Sequence, residues 1–192
     1  MMEFTTNHAL NKTFRVFGYI NHAWHLGFKD EMVLYAHDLD QLQIMWEAYK
    51  HFFEVKGEPT FLKEGTNQVG WPDYYRNTTK ENLWSIFKQY RKRPREVTHP
   101  IVYSISDVKK SHYGINGLSK ENIMKNLRGI DLGDTRNFES ADQLIDKITK
   151  LSTAQMFFGS HCSWAFICPY FDTPWIQIQE TELIQLTELN YL

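Results

Sequence analysis

The segment from Ser140 to Ser163 constrains the fold more than any other part of the chain. Ser140 and Gln143 have the spacing of a capping box, in which the serine hydroxyl takes a backbone N–H of the first turn. Ala141, Leu144, Ile145, Ile148 and Leu151 then recur at helical spacing and predict an amphipathic helix. The apolar run Gln155-Met156-Phe157-Phe158 follows at once and has the length of a strand. It runs into Gly159-Ser160, after which small and apolar residues over about 162–171 predict another helix. Helix, strand and helix in direct succession mark parallel α/β units, because a parallel strand reaches its neighbour only through a crossover.

The rest of the chain extends this pattern. Residues 14–17 (FRVF) read as a short strand, and Gly18 opens a polar-aromatic stretch. Residues 32–36 (MVLYA) read as a buried strand. Asp38, with Gln41 three positions on, caps a helix over about 39–54 whose apolar stripe is Leu42, Met45, Trp46, Tyr49, Phe52 and Phe53. Residues 57–77 read as loop or irregular strand. Thr78 and Glu81 form a second capping box, ahead of a helix that buries Leu83, Ile86, Phe87 and Tyr90. Residues 101–105 (IVYSI) read as a strand and 106–118 as a polar loop. Ser119 caps a helix over 120–128, and a short apolar segment occupies 129–132. Pro174 precedes a last strand at 175–178, and the tail from Thr181 to Leu192 is assigned to a final helix.

The expectation is an α/β protein with Rossmann-like parallel sheets in two small lobes, residues 1–95 and 96–192. The run Arg91-Lys92-Arg93-Pro94-Arg95 lies between them. It reads either as a helix end whose charges complement the dipole or as a phosphate-binding edge.

Composition excludes several classes. Of the 192 residues, 42% are hydrophobic and 15% aromatic, enough for a real core and too many for a disordered chain. A net charge of -2 gives no general attraction for polyanions, so nucleic acid is not an expected partner. A platform built on Trp71, Tyr74, Tyr75 and Arg76 would be the exception. No apolar run reaches the length of a membrane span, and the N-terminus lacks a signal-peptide core, so a cytoplasmic protein is expected. Two cysteines, Cys162 and Cys168, make neither a disulfide scaffold nor a four-thiolate zinc site. Both read as small core residues, although a helix N-terminus beside Cys162 would lower its thiol pKa.

Phe157 to Trp164 carries the strongest chemical signal. A strand end that feeds a helix start exposes unpaired N–H groups and partial positive charge, and phosphate binds there without many side chains. Gly159 would let a ligand approach the backbone, while Ser160 and Ser163 offer hydroxyls. His161 reads as a phosphate donor or simply a helix-start residue. The alternative is a tight strand-to-helix turn with no ligand. His22 and His25, three apart, would share a helix face and suit a metal ion, or be two half-buried histidines beside Trp24.

The stretch from Asp131 to Ile178 resembles the C-terminal lobe of GT-B glycosyltransferases and is most similar to the heptosyltransferase-like family, glycosyltransferase family nine. Leu151 to Phe158 matches that family's helix end and strand. Gly159, Ser160 and Ser163 match its donor turn, and Asp172-Thr173-Pro174 its Gly-x-Pro corner, with Asp in place of Gly. The resemblance implies that this turn contacts the diphosphate of a nucleotide sugar. It also implies that the loop after strand 101–105 faces the donor, with Lys109 and Lys110 near phosphate. Gly18-Tyr19-Ile20-Asn21-His22-Ala23 is similar to the family's first strand-to-helix loop. There His22 would act as acid, base or phosphate contact. Tyr19 stands where the family has an acidic residue, and a phenol of ordinary pKa near 10 does not replace a carboxylate at neutral pH. No metal or other cofactor is implied. The resemblance therefore implies a small glycosyltransferase using a nucleotide-sugar donor. A non-catalytic nucleotide or nucleotide-sugar binder on a degenerate version of that fold is the alternative. A protein-interaction module anchored by exposed aromatics is a third reading.

Overall fold

The computed structural model describes residues 1–6, 9–63, 80–104, 128–160, 162–177 and 185–187. The chain divides into two compact units. The first comprises Met1–Pro94 with Arg136–Ile145, the second Arg95–Thr135 with Asp146–Leu192. Both are built from parallel strands and helices in alternation, so the chain is an α/β protein with Rossmann-like units.

In the first unit, β1 (Met2–Thr5), α1 (Leu10–His25), β2 (Met32–Ala36), α2 (Leu39–Phe52), β3 (Thr60–Lys63) and α3 (Lys80–Tyr90) follow one another. The strands form one parallel sheet in the order β1-β2-β3, with Phe4 beside Leu34 and Leu34 beside Phe61. Because the strand order advances in one direction, right-handed crossovers put α1 and α2 on the same face. Phe61 of β3 accordingly meets Phe17 of α1 at 6.5 Å and Trp46 of α2 at 6.3 Å between ring centroids. Tyr49 lies at the middle of this aromatic core, 5.6 Å from Phe14, 5.5 Å from Phe17, 4.7 Å from Phe53 and 6.1 Å from Phe87. Each such ring pair adds about 0.5–1.5 kcal/mol beyond its burial.

Asp38 caps α2 as expected, accepting the Gln41 N–H at 3.0 Å. The Gln41 side chain does not complete a capping box. It donates to the Phe138 carbonyl at 2.7 Å and accepts the Phe138 N–H at 2.9 Å. This two-bond pairing ties the returning segment Arg136–Ile145 to the first unit.

Two expectations fail in α1. FRVF is helix, not strand, and Gly18 to Ala23 lie inside the same helix rather than in a loop. The physical reason is burial on nearly every side. Leu10, Phe14, Phe17, Ile20 and Trp24 recur at helical spacing, but Thr13, Gly18 and Asn21 are buried among them, and these polar and small residues blur the stripe. Gly18 makes room for α3: a Cβ there would stand 2.7 Å from the Phe87 ring. The first strand is β1, upstream of the expected position.

In the second unit, β4 (His99–Ser104), β5 (Gly129–Asp131), β6 (Ala154–Gly159), β7 (Trp175–Gln177) and β8 (Gln185–Thr187) form one sheet in the order β5-β4-β6-β7-β8. The first four are parallel, and β8 runs antiparallel to β7. Part of the tail assigned to a final helix is therefore a strand. α4 (Ala141–Ser152), whose residues up to Ile145 count with the first unit, carries the expected stripe, with Leu144, Ile148 and Leu151 buried. Its start is capped by Ser140, which accepts the Gln143 N–H at 3.2 Å. α5 (Ser163–Ile167) passes into a 3-10 turn, Cys168–Phe171. The basic run is used structurally: Lys92 Nζ donates to the Lys50 carbonyl at 2.6 Å, and the Arg95 guanidinium to the Ala154 carbonyl at 2.7 Å. The helix over 120–128 lies outside the described residues apart from Arg128.

Gly18→Ala improves helix propensity by up to about 1 kcal/mol but overpacks the Phe87 contact, a class of change that costs about 1–3 kcal/mol. The expected net outcome is a lower melting temperature, with a larger drop for Gly18→Leu, read by thermal denaturation. An unchanged or raised value for both would refute the packing role of this glycine.

Candidate functional site

The strand order of the second unit creates one reversal. From β4 the chain moves to β5 on one side, then crosses back to β6 on the other. In open α/β sheets ligands sit in the crevice beyond the carboxyl ends of the strands at such a switch point. Here those ends are Ser104 of β4 and Gly159-Ser160 of β6, paired in register.

This edge is tightly built. The Ser104 carbonyl accepts the Ser160 N–H at 3.1 Å, and the Ser160 hydroxyl lies 3.5 Å from the same oxygen. A Cβ on Gly159 would stand 2.3 Å from that carbonyl and 2.9 Å from the Phe157 ring. Gly159 therefore makes room for the neighbouring strand, not for an approaching ligand. The Ser104 hydroxyl and the Trp164 indole N–H both donate to the Gly133 carbonyl, at 2.9 and 3.0 Å. Gly133 has a φ of 68° in the left-handed region, and its N–H donates to Asp131 at 2.8 Å. Residues after β5 are thus clamped to the ends of β4 and α5.

Cys162 stands at the N-cap of α5 in extended conformation. Burial pushes its thiol above the ordinary value, as does the charge of Asp134. The backbone N–H groups of Ala165 and Trp164 and the Ser104 side chain pull the other way without prevailing. None closes into a capping hydrogen bond. The thiol is held above its ordinary value by burial, rather than activated by the helix start. Cys168 is fully buried and donates to the Trp164 carbonyl at 3.2 Å. Six residues along a helical segment set the two cysteine Cα atoms about 9 Å apart, beyond the roughly 7 Å Cα separation that a disulfide spans.

The sequence-derived site residues divide three ways. Gly159, Ser160 and Ser163 gather at the switch point. His161, Lys109 and Lys110 lie outside the described residues. Gly18, Tyr19, Asn21 and His22 are on α1 in the first unit. All four have local contacts there. The Tyr19 hydroxyl accepts from Arg15 at 3.2 Å. Asn21 donates to the Glu54 carbonyl at 2.7 Å, and His22 Nδ1 lies 2.9 Å from the Tyr90 hydroxyl. Ser104 and Gly133 are neighbours of the site that motif reading did not single out. The signal for Ser104 was a small polar residue ending an apolar run. For Gly133, only the fold brings it in. Among the described residues no three His, Cys, Asp or Glu side chains gather as a metal site, and no helix is long and apolar enough to cross a membrane.

The class defined by these elements is an α/β unit with a topological switch point at the carboxyl edge of its sheet. No protein-family model matches the chain, and no curated protein or solved structure is significantly similar to it.

Two outcomes are expected. Alkylation of Cys162 in the folded protein should reach half its maximal rate above about pH 9, the ordinary thiol value, as followed in a Cys168→Ala background. A midpoint near neutrality would contradict the buried thiol. Asp172 holds a φ of 58° at the end of the 3-10 turn, a conformation that favours glycine. Asp172→Gly should preserve or slightly raise the melting temperature, whereas Asp172→Val should lower stability by about 1–2 kcal/mol.

Proposed function

We propose that the second unit binds the phosphate-bearing part of a nucleotide or nucleotide sugar in the crevice beyond Ser104 and Ser160–Ser163. The strand order carries this reading, because it sets the β4–β6 reversal at the residues that close the strand-to-helix turn.

Sugar transfer from that donor is the second reading. It draws on the family resemblance and on Asp172, whose left-handed conformation suits the family's glycine at the same corner.

A thermal-shift screen against inorganic diphosphate, nucleotides and nucleotide sugars tests binding. A ligand at about 100 times its dissociation constant adds roughly 2.7 kcal/mol, a rise on the order of 5–10 °C for a chain of this size. Ser163→Glu is the control. A carboxylate in the first turn suits the helix dipole, so the variant should fold, yet it repels phosphate. A rise with a nucleotide ligand that disappears in Ser163→Glu supports the site. A flat screen on folded protein, or an equal rise in the variant, rejects it. Release of free nucleotide from a nucleotide sugar on incubation with an acceptor panel would establish transfer.

A further inference from the structure

The end of α3 is fastened to α1 by side chains that the switch-point site does not use. His22 and His25 project from the last turns of α1. His22 Nδ1 lies 2.9 Å from the hydroxyl of Tyr90, the last residue of α3. The His25 ring stacks on the Tyr90 ring, with centroids 3.9 Å apart and planes at 21°. His25 Nε2 also lies 3.4 Å from the Glu54 carbonyl, which accepts from the buried Asn21 amide. Two backbone bonds complete the seam: Glu54 N–H to the Tyr90 carbonyl at 2.8 Å, and Lys92 N–H to the Phe52 carbonyl at 2.9 Å. Four residues past Tyr90, at Pro94, the chain leaves the first unit.

We propose that the His22–His25–Tyr90 cluster is an acid-sensitive latch, which in its neutral form holds the last turn of α3 and residues 91–94 against α1 and lets them go when His22 is protonated.

The chemistry follows from the donor inventory. Neutral His22 with a bare Nδ1 accepts the Tyr90 hydroxyl proton, whereas protonation puts a hydrogen on Nδ1 and reverses that bond. The Tyr90 side chain is buried, so a misdirected hydroxyl there is costly. The charge of His25 makes protonation of His22 harder still. His25 lies one turn away on α1. The end of α2 brings Lys50 and His51, with Glu54 just beyond. The end of α3 brings Lys88, Arg91 and Lys92. Glu47 and Glu58 are engaged by Lys50, at 2.9 and 3.1 Å. Glu54 is then the one acidic residue on these segments not paired with Lys50.

Burial and the charge of His25 hold His22 below its ordinary value of 6.5. The unfolded or released form therefore binds protons more readily. The latch is fully closed above the ordinary value and weakens as pH falls through it toward the lowered one. Release stays local, because Leu83, Ile86 and Phe87 keep the body of α3 in the core.

Amide hydrogen exchange on the whole chain, corrected for intrinsic rates, reads the latch directly. Between about pH 7.5 and pH 5, which bracket histidine titration, the Glu54 and Lys92 amides should lose protection by about tenfold or more. The Val102 and Phe157 amides in the sheet of the second unit should keep theirs. The His22→Gln/His25→Gln variant should show no such pH dependence. Tyr90→Phe, which keeps the ring, should expose the two amides at both pH values. Equal protection of Glu54 and Lys92 at both pH values would overturn the latch. So would an undiminished acid effect in the double glutamine variant, or a loss of protection shared by the whole chain.

Discussion

The second unit depends on how closely β4 and β6 approach at their carboxyl ends. The Ser104 carbonyl sits where a side chain on residue 159 would stand, and it takes the Ser160 N–H. That contact is possible because residue 159 is glycine. It brings the end of β6 level with the end of β4, near the start of α5, where Trp164 meets Gly133. The site is thus a by-product of sheet packing first and of polar side chains second. Ser160 serves the strand pairing, which leaves Ser163, Cys162 and the helix N–H groups as the chemically informative part of the turn.

The first unit rests on a different constraint, the crowding of aromatic rings between one sheet face and three helices. Phe17, Trp46, Tyr49, Phe53 and Phe87 touch in sequence. Phe87 also lies over Gly18, so the glycine in the middle of α1 trades helix propensity for a closer approach of α3. Replacing it with a side chain sets local preference against tertiary packing, and the crowded ring decides the outcome.

Helix starts with a side-chain cap were legible in the sequence. Asp38 and Ser140 both act as caps, and the stripes behind them are buried. The strands at 32–36 and 99–104 and the one ending at Gly159 were legible because apolar runs end at charge or at small residues. α1 was not legible, for a definite reason. Its N-cap, Ala9, makes no side-chain cap hydrogen bond, and its middle is buried almost all round. No start signal marks it, and Thr13, Gly18 and Asn21 blur its apolar stripe. FRVF is a short apolar run broken by one arginine and imitates a strand, and that misreading pulled Gly18 to His22 into a loop. Of the candidate site, the Gly159–Ser163 turn could be found from its strand-to-helix junction. Ser104 carried only the weak signal of a small polar residue ending an apolar run, and Gly133 carried none, since it reaches the site from the segment after β5.

The pairing of Gln41 with Phe138 spans 97 positions in the sequence. The segment that completes the first unit is therefore made only after β4 and β5 of the second have been synthesised. During synthesis the N-terminal sheet emerges with one of its polar partners still missing, and the two units cannot mature strictly one after the other. Contacts this distant in sequence slow folding, so the chain carries a built-in delay between the first appearance of its aromatic core and the closing of that core's last hydrogen bonds.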